Sequence, residues 1–595
     1  MRTLLIQKAG MSLFILACTL LAAMLFINKY EISRSQLETV LSPQDYSKVS
    51  NFISPIINHE YTSSISFNAD LEKVLDSANQ NIQSTFSISN ADLEHSIASF
   101  PNENITFNNE ILASNFANDS IYNYKKDKLR TYTSWMNGKT YENKKVLKEE
   151  LQGTTKSING SLNSHLGFDN YKLNTLKLSI TRAANSTPIK DSPLLWLGLT
   201  IGLGIFAAML YILPKLSQLP GIKNDGVFQS AHTSRGWIGY SIGVMLILFY
   251  VLLYWYPEYM TNWMIMVDPV SQVLNGGPAS QWFFYGLLYT IAIIVMGIRM
   301  FIKYRHSQYH IIRTSSVMFF QTSFAFLIPE ILILLNQPSM DLKNIWPLNY
   351  TFFFDYNIQN LINSGGLGLF MLVWGIILVL VAVPVITYFY GKRWYCSWVC
   401  GCGGLAETLG DPYRQLSDKS LKSWKIERWM VHAVLAFAIM MTTGTLYTYF
   451  TGSGSLLGLD TYYIRSVYGF LIGSVFAGVV GVGFYPVMGS RVWCRFGCPL
   501  AAYLGIIQRF KSKFRITTNG GQCISCGNCS TYCEMGIDVR WYAQREQNIV
   551  RASCVGCGVC ASVCPRGVLK LENDDPDNRF EKPIRISNSK IEVLN

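Results

Sequence analysis

Eight cysteines late in the chain share one spacing: Cys523, Cys526, Cys529 and Cys533 in CISCGNCSTYC, then Cys554, Cys557, Cys560 and Cys564 in CVGCGVCASVC. Each half reads C-x2-C-x2-C-x3-C, in which three thiolates wrap one face of an iron–sulfur cubane and the fourth reaches a neighbouring cluster. The spacing predicts two 4Fe-4S clusters, one held by Cys523, Cys526, Cys529 and Cys564 and the other by Cys554, Cys557, Cys560 and Cys533. Ligands this close together need tight turns, which Gly527, Gly556 and Gly558 permit. Zinc takes its four ligands in pairs rather than in two interleaved sets, and disulfides require an oxidising compartment. Clusters exchange single electrons, so this end of the chain reads as an electron port. Glu534 stands where a proline often follows the fourth cysteine, as Pro565 does in the second half.

Two further pairs are spaced C-x3-C: Cys396 and Cys400 in KRWYCSWVCGCGG, and Cys494 and Cys498 in SRVWCRFGCPL. Residues i and i+4 share a helix face, so two such pairs can supply a four-thiolate site. Soft ligands select iron–sulfur, zinc or copper(I), and beside a ferredoxin segment a third cluster or an iron centre is the economical choice. The bland alternative is a set of buried free cysteines acting as small hydrophobes. Cys402 is a further thiol that can stand in for Cys400.

The elements that position these residues are membrane spans. Of 595 residues, 49% are hydrophobic and 15% charged, with a mean hydropathy of +0.19, a composition for a membrane protein with soluble appendages. Apolar runs suited to spanning cover about 11–27, 194–213, 237–256, 282–301, 317–335, 367–390, 429–450 and 467–487. The predicted architecture is a polytopic α-helical membrane protein of about eight spans, with an outer α/β soluble domain and a C-terminal bacterial-ferredoxin-like domain. Its segments are a signal anchor over 1–28, a periplasmic domain over 29–192, a seven-helix membrane domain over 193–514 and a ferredoxin domain over 515–595.

The net charge of +12 does not indicate nucleic acid, because the basic residues gather at span ends. Lys215, Lys223 and Arg235 fill one loop, Lys303, Arg305 and Arg313 another, and seven Lys or Arg residues from Lys392 to Arg428 a third. Under the positive-inside rule this pattern places both termini and the ferredoxin segment in the cytoplasm of a bacterial inner membrane, the reducing side that suits exposed thiolate ligands. Only Cys18 of the 14 cysteines precedes Cys396, so the outer domain has no disulfide framework.

Paired C-x3-C motifs at span ends followed by a two-cluster segment resemble the membrane polyferredoxins that include NosR, NapH and the CcoG assembly proteins. Cys498-Pro499 matches their pattern and Cys400-Gly401 departs from it. The order of anchor, outer domain, spans and ferredoxin resembles NosR. That likeness implies covalent FMN on an outer-domain motif approximating D-x-[IL]-[ST]-G-A-T-x-[ST]. In EELQGTTKS (149–157) Glu149 stands for the Asp, Leu151, Gly153, Thr155 and Ser157 fit, and Gln152 and Thr154 depart. By this resemblance Thr155 would carry the flavin, with Gly153 permitting close approach and Lys156 offsetting phosphate charge.

The leading functional expectation is electron relay between the cytoplasm or quinol pool and a periplasmic reductase or carrier. A cytoplasmic ferredoxin or flavodoxin is the soluble partner and membrane lipid the solvent. The CcoG likeness implies a second reading, maturation of a metal centre by copper or iron reduction. A third, of a different class, is a redox or ligand sensor. Two smaller expectations concern Glu330, an ionisable residue inside a span, and His432, read as interfacial rather than as a haem ligand. The ligand sets predict that Cys557→Ser abolishes one of the two distal clusters, cutting that segment's iron from about eight atoms to about four; elemental analysis showing undiminished iron would refute the assignment.

Overall fold

The computed structural model describes residues 2–114, 120–160, 162–217, 232–452, 454–456, 459–573, 584–587 and 590–593. It forms two compact units, one of residues 23–192 with 257–265, the other of 1–22, 193–256 and 266–595.

The first unit is helical, not mixed α/β as its composition suggests. Its longest helix, Ser64–Phe86, buries Phe67, Leu71, Val74, Leu75, Ala78 and Ile82, a spacing of three and four residues that a strand cannot present on one face. Serines of the segment serve as helix caps: Ser33 and Ser89 each close a capping box with the residue three positions on. Strand structure among the described residues is one antiparallel ribbon, Glu103–Thr106 against Thr140–Asn143, together with isolated bridges. Two apolar cores result, one around Phe67, Phe168 and Ile180, the other around Ile105, Phe107, Leu147 and Leu151.

The short loop 257–265 belongs to this unit through Asn262, which is 2% exposed. Its Nδ2 donates to the carbonyls of Met24 and Ile27 at 2.7 and 2.8 Å, and its Oδ1 accepts from Asn185 at 2.8 Å. A buried amide must find such partners, and one side chain here joins three separate segments.

Among the described residues eight helices are long and apolar enough to cross a membrane: Thr3–Phe26, Pro193–Ser217, Trp237–Trp255, Gln281–Lys303, Gln308–Leu334, Gly365–Tyr390, Leu421–Thr451 and Thr461–Gly483. The chain is a multi-pass membrane protein. Lys223 lies outside the described residues. The fifth span begins at Gln308 rather than near Val317, and its added turns carry Tyr309, His310 and Arg313.

Beyond the sixth span the chain makes short helices Arg393–Cys396 and Gly401–Glu407. Beyond the eighth it makes a wide π-turn, Trp493–Gly497, and the helix Pro499–Lys511. The following segment is closed by an antiparallel pair, Arg515–Thr518 with Leu569–Glu572, flanking its two cysteine motifs. One buried core runs through all of these: Val383, Leu500, Leu504 and Phe514 are continuous with Ile516, Ile537, Val555, Val559 and Val563. The cysteine-rich segment is therefore packed into the second unit and is no tethered appendage.

The helical reading of the first unit predicts that Leu151→Ala, at a fully buried position, lowers stability by about 2–5 kcal/mol. Ser157→Ala, exposed on the same helix, changes it by less than about 0.5 kcal/mol. Thermal melts followed by circular dichroism separate the two outcomes.

Candidate iron–sulfur centres

The structure gathers the motif cysteines into three cavities. Cys523, Cys526, Cys529 and Cys564 line one with Ile524, Pro565 and Leu569. Cys533, Cys554, Cys557 and Cys560 line a second with Ile516, Ile537, Ile549 and Val555. Each thus takes three cysteines from one motif and the fourth from the other. Cys396, Cys400, Cys494 and Cys498 line a third with Leu348, Tyr395, Trp493 and Leu500, and Cys402 joins them.

Local geometry explains how. Gly527 and Gly558 precede matching short helices with φ of +79°, a conformation that costs glycine little. Ser525 occupies the position of Gly556 in the other motif and adopts the same left-handed backbone, φ +60° against +61°. At the third cavity the two C-x3-C motifs repeat one device. Cys400 and Cys498 are each the extended residue before a helix, with φ/ψ of −66°/128° and −80°/111°. Pro499 fills the first helical position, where no N–H is needed, and the Cys498 sulfur accepts from the Ala501 N–H at 3.4 Å. Gly401 replaces proline in the first motif because a side chain there meets the Gln321 amide oxygen at 3.0 Å. Gly403 is also constrained: a Cβ would stand 2.0 Å from the Cys396 carbonyl oxygen.

Side chains from the membrane-edge elements hold the second cysteine loop. Four consecutive carbonyls accept from them: Cys554 from Gln508 at 2.8 Å, Val555 from Ser397 at 2.8 Å, Gly556 from Tyr309 at 2.8 Å, and Cys557 from Arg313. The early start of the fifth span is explained by two of these contacts.

Beside them lies a buried ionic cluster that the motifs do not reveal. Glu407 pairs with Arg313 at 2.9 Å, with Arg491 at 2.8 Å and with Arg414. Asp411 pairs with Arg299, Lys303 and Arg414 at 2.8–2.9 Å. Glu534, the residue in place of proline, reaches Arg414 at 2.9 Å and Arg491 at 3.1 Å. Arg491 also donates to the Cys396 carbonyl at 3.1 Å and lies 3.7 Å from the Cys494 sulfur. Burial penalises the charge on Glu407, but Arg313, Arg414 and Arg491 more than offset it and hold the carboxyl well below the usual carboxylate range. Burial pushes Glu534 upward against the same two arginines, with the charge of Glu407 adding to the rise.

Burial raises the thiols of Cys396 and Cys529 to about 12 and that of Cys554 to about 11. These cysteines are neutral until a metal displaces the proton. A hydrogen bond from Cys402 is the main cause that lowers Cys400 to about 6.

Thr155 and Gly153 are not placed on a phosphate-cradling turn. Both lie within the helix Lys144–Gly160. Thr155 is 5% exposed on the apolar face with Leu147, Leu151 and Ile158, and its hydroxyl donates to the Gln152 carbonyl at 3.1 Å. Gly153 and Ser157 are exposed on the same helix, with no turn to cradle a phosphate. A phosphodiester at Thr155 would bury a charge in a hydrocarbon core. Glu330 accepts from Asn275 at 2.6 Å near the end of its span.

Residues 372–420 and 469–517 each match a 4Fe-4S binding domain, and 522–569 matches a 4Fe-4S dicluster domain. These are ferredoxin-type 4Fe-4S domains. The two ferredoxin-type copies at the membrane edge each contain one C-x3-C motif, and the dicluster domain contains both longer motifs. The Escherichia coli (strain K12) protein YccM, named for electron transport, is 27% identical over 183 residues, 27% of this chain and 46% of its own. The methylamine utilization ferredoxin-type protein MauN of Methylobacillus flagellatus is 26% identical over 160 residues, 26% of this chain and 53% of its own. The chain therefore spans about half the length of the curated relatives it matches. No solved structure matches it significantly.

Arg414→Leu leaves Glu407, Asp411 and Glu534 each short of a buried counter-charge and is expected to cost about 3–5 kcal/mol. Arg130→Ala, in a pair with Glu110 that is 41% and 63% exposed, is expected to cost under about 1 kcal/mol. Thermal unfolding of the two variants tests the contrast.

Proposed function

We propose that the protein is an iron–sulfur electron relay of a bacterial inner membrane. Its ligand sets are Cys523, Cys526, Cys529 and Cys564; Cys533, Cys554, Cys557 and Cys560; and Cys396, Cys400, Cys494 and Cys498. The observation that carries the reading is the seriation of the three cavities. The first includes Cys526, which is exposed, while the four cysteines of the third are all buried. An exposed port therefore leads to a buried terminus.

When bound, a 4Fe-4S cluster supplies a one-electron couple whose potential responds to charge, hydrogen bonding and exposure. The chain's own residues fix the spacing. Cys396 continues into Ser397, whose hydroxyl donates to the carbonyl next to Cys554, so a single hydrogen bond links the two ligand sets. Arg491, beside Cys494, shares Glu407 with Arg313, which donates to the Cys557 carbonyl. This second link is made wholly of ion pairs and hydrogen bonds. Five cations against three carboxylates in the ionic cluster leave an excess of positive charge, which favours the reduced, more negative state of a neighbouring cluster.

The basic loops favour placing this apparatus in the cytoplasm, where a ferredoxin or flavodoxin exchanges electrons at the Cys526 end. The hydrocarbon core is about 30 Å thick, so delivery to a periplasmic reductase needs a further carrier, and a quinol of the bilayer meets that need at the buried centre.

In Cys494→Ser, reductant added from solution is expected to reduce the two dicluster centres as in the parent, while transfer to a membrane acceptor stops. Stopped-flow absorbance with parallel freeze-quench electron paramagnetic resonance resolves the two events. Transfer at the parental rate would contradict the relay.

A further inference from the structure

A cavity of about 160 Å³ opens beside Cys494, between the start of the seventh span and the helix Pro499–Lys511. Lys392, Arg428, Arg495, Arg509 and Arg551 line it, and Glu427 is the single carboxylate among its lining residues. Glu427 is already taken, pairing with Arg495 at 2.7 Å. Among the described residues no carboxylate lies within ion-pair distance of the other four cations. Lys392 is 1% exposed; its backbone N–H donates to Gln508, but its ammonium forms no ion pair with a carboxylate among the described residues. One guanidinium nitrogen of Arg495, Nη2, is buried without an acceptor. A buried cation without a counter-charge is costly; Lys392 is one, Arg495 adds a donor without an acceptor, and with Arg428, Arg509 and Arg551 beside them the cavity calls for an anion. The volume is ample for the five heavy atoms of a phosphate group, since one water needs only about 10–15 Å³.

The surroundings indicate the source of that phosphate. The cavity lies along the first turns of a membrane span, from Trp424 to His432, the level of lipid headgroups. Trp424 gives its ring to Arg428 and Arg551 at 5.3 and 5.0 Å, holding two guanidiniums in place without neutralising them. On the same two helices Trp429 is 73% and Phe510 69% exposed, an apolar surface for acyl chains flanking the charged opening. Basic pockets between spans on the positively charged side of a membrane protein bind anionic headgroups.

We propose that this cavity is a phosphate-binding site at the membrane edge that takes the headgroup of an anionic phospholipid. The bound phosphate supplies a counter-charge to Lys392 and an acceptor to Arg495 Nη2, and braces the seventh span against the helix that carries Cys498 at its cap. The proposal does not depend on the clusters or on the direction of electron flow.

The test uses the full-length protein in nanodiscs of phosphatidylcholine with increasing cardiolipin, with native mass spectrometry counting lipid retained per chain. A parallel arm titrates sodium phosphate into delipidated protein by calorimetry. Arg428→Gln with Arg509→Gln is the variant, because both side chains are exposed and fold is preserved. The parent is expected to retain one cardiolipin per chain and the double variant to bind it about 25-fold more weakly. Saturable binding of inorganic phosphate, lost in the variant, with no preference for cardiolipin, would support the phosphate site and assign it to a free anion. Retention of cardiolipin by the double variant at parental affinity, or no binding in either arm, would overturn the proposal.

Discussion

The structure turns on the carboxylate of Glu534 seated between Arg414 and Arg491. All three side chains are within 1% of full burial. Charges so deep in a protein survive only where each is paired, and moving the dicluster domain away would take one buried carboxylate from Arg414 and Arg491, leaving Glu407 and Asp411 to balance them. Carbonyl contacts from Cys554 to Cys557 add direction to that constraint, fixing how the loop turns as well as where it rests. Rigid seating is what electron transfer asks of its scaffold, since spacing between centres must not fluctuate.

The same constraint accounts for sequence features that otherwise look incidental. Glutamate in place of proline after Cys533 exchanges loop stiffness for an anchor. In the loop between the sixth and seventh spans Arg414 serves the core, with no exposure at all. Gly403 lets the turn after Cys400 close onto the Cys396 carbonyl, bringing the two halves of one motif round a common space.

Much of the site was legible in the sequence because cysteine spacing is a direct record of ligand geometry. The exchange of Cys533 and Cys564 between motifs, and the convergence of Cys396, Cys400, Cys494 and Cys498, follow from spacing and reappear as shared cavities. The spans were legible from composition, except where Tyr309 and Arg313 extend one of them for contacts made far away in sequence. The ionic cluster was not legible: Arg299, Glu407 with Asp411, and Glu534 sit in three separate stretches, and no local pattern distinguishes a buried arginine from a topological one. The outer unit misled because polar residues that cap helices also populate loops and strands. The helical setting of EELQGTTKS was not legible either, because a short motif says nothing of which face of a helix its threonine occupies, and Thr155 faces the core.

Clusters in the three proposed ligand sets would share one frame, and magnetic interaction among them is the most direct measure of the account. In the fully reduced protein, electron paramagnetic resonance is expected to show spectra split by coupling among the cluster spins, with splittings that simplify on Cys494→Ser to those of a two-cluster ferredoxin. A parent spectrum that is the plain sum of isolated clusters, or one unchanged by Cys494→Ser, would contradict a membrane-edge centre in series with the dicluster domain.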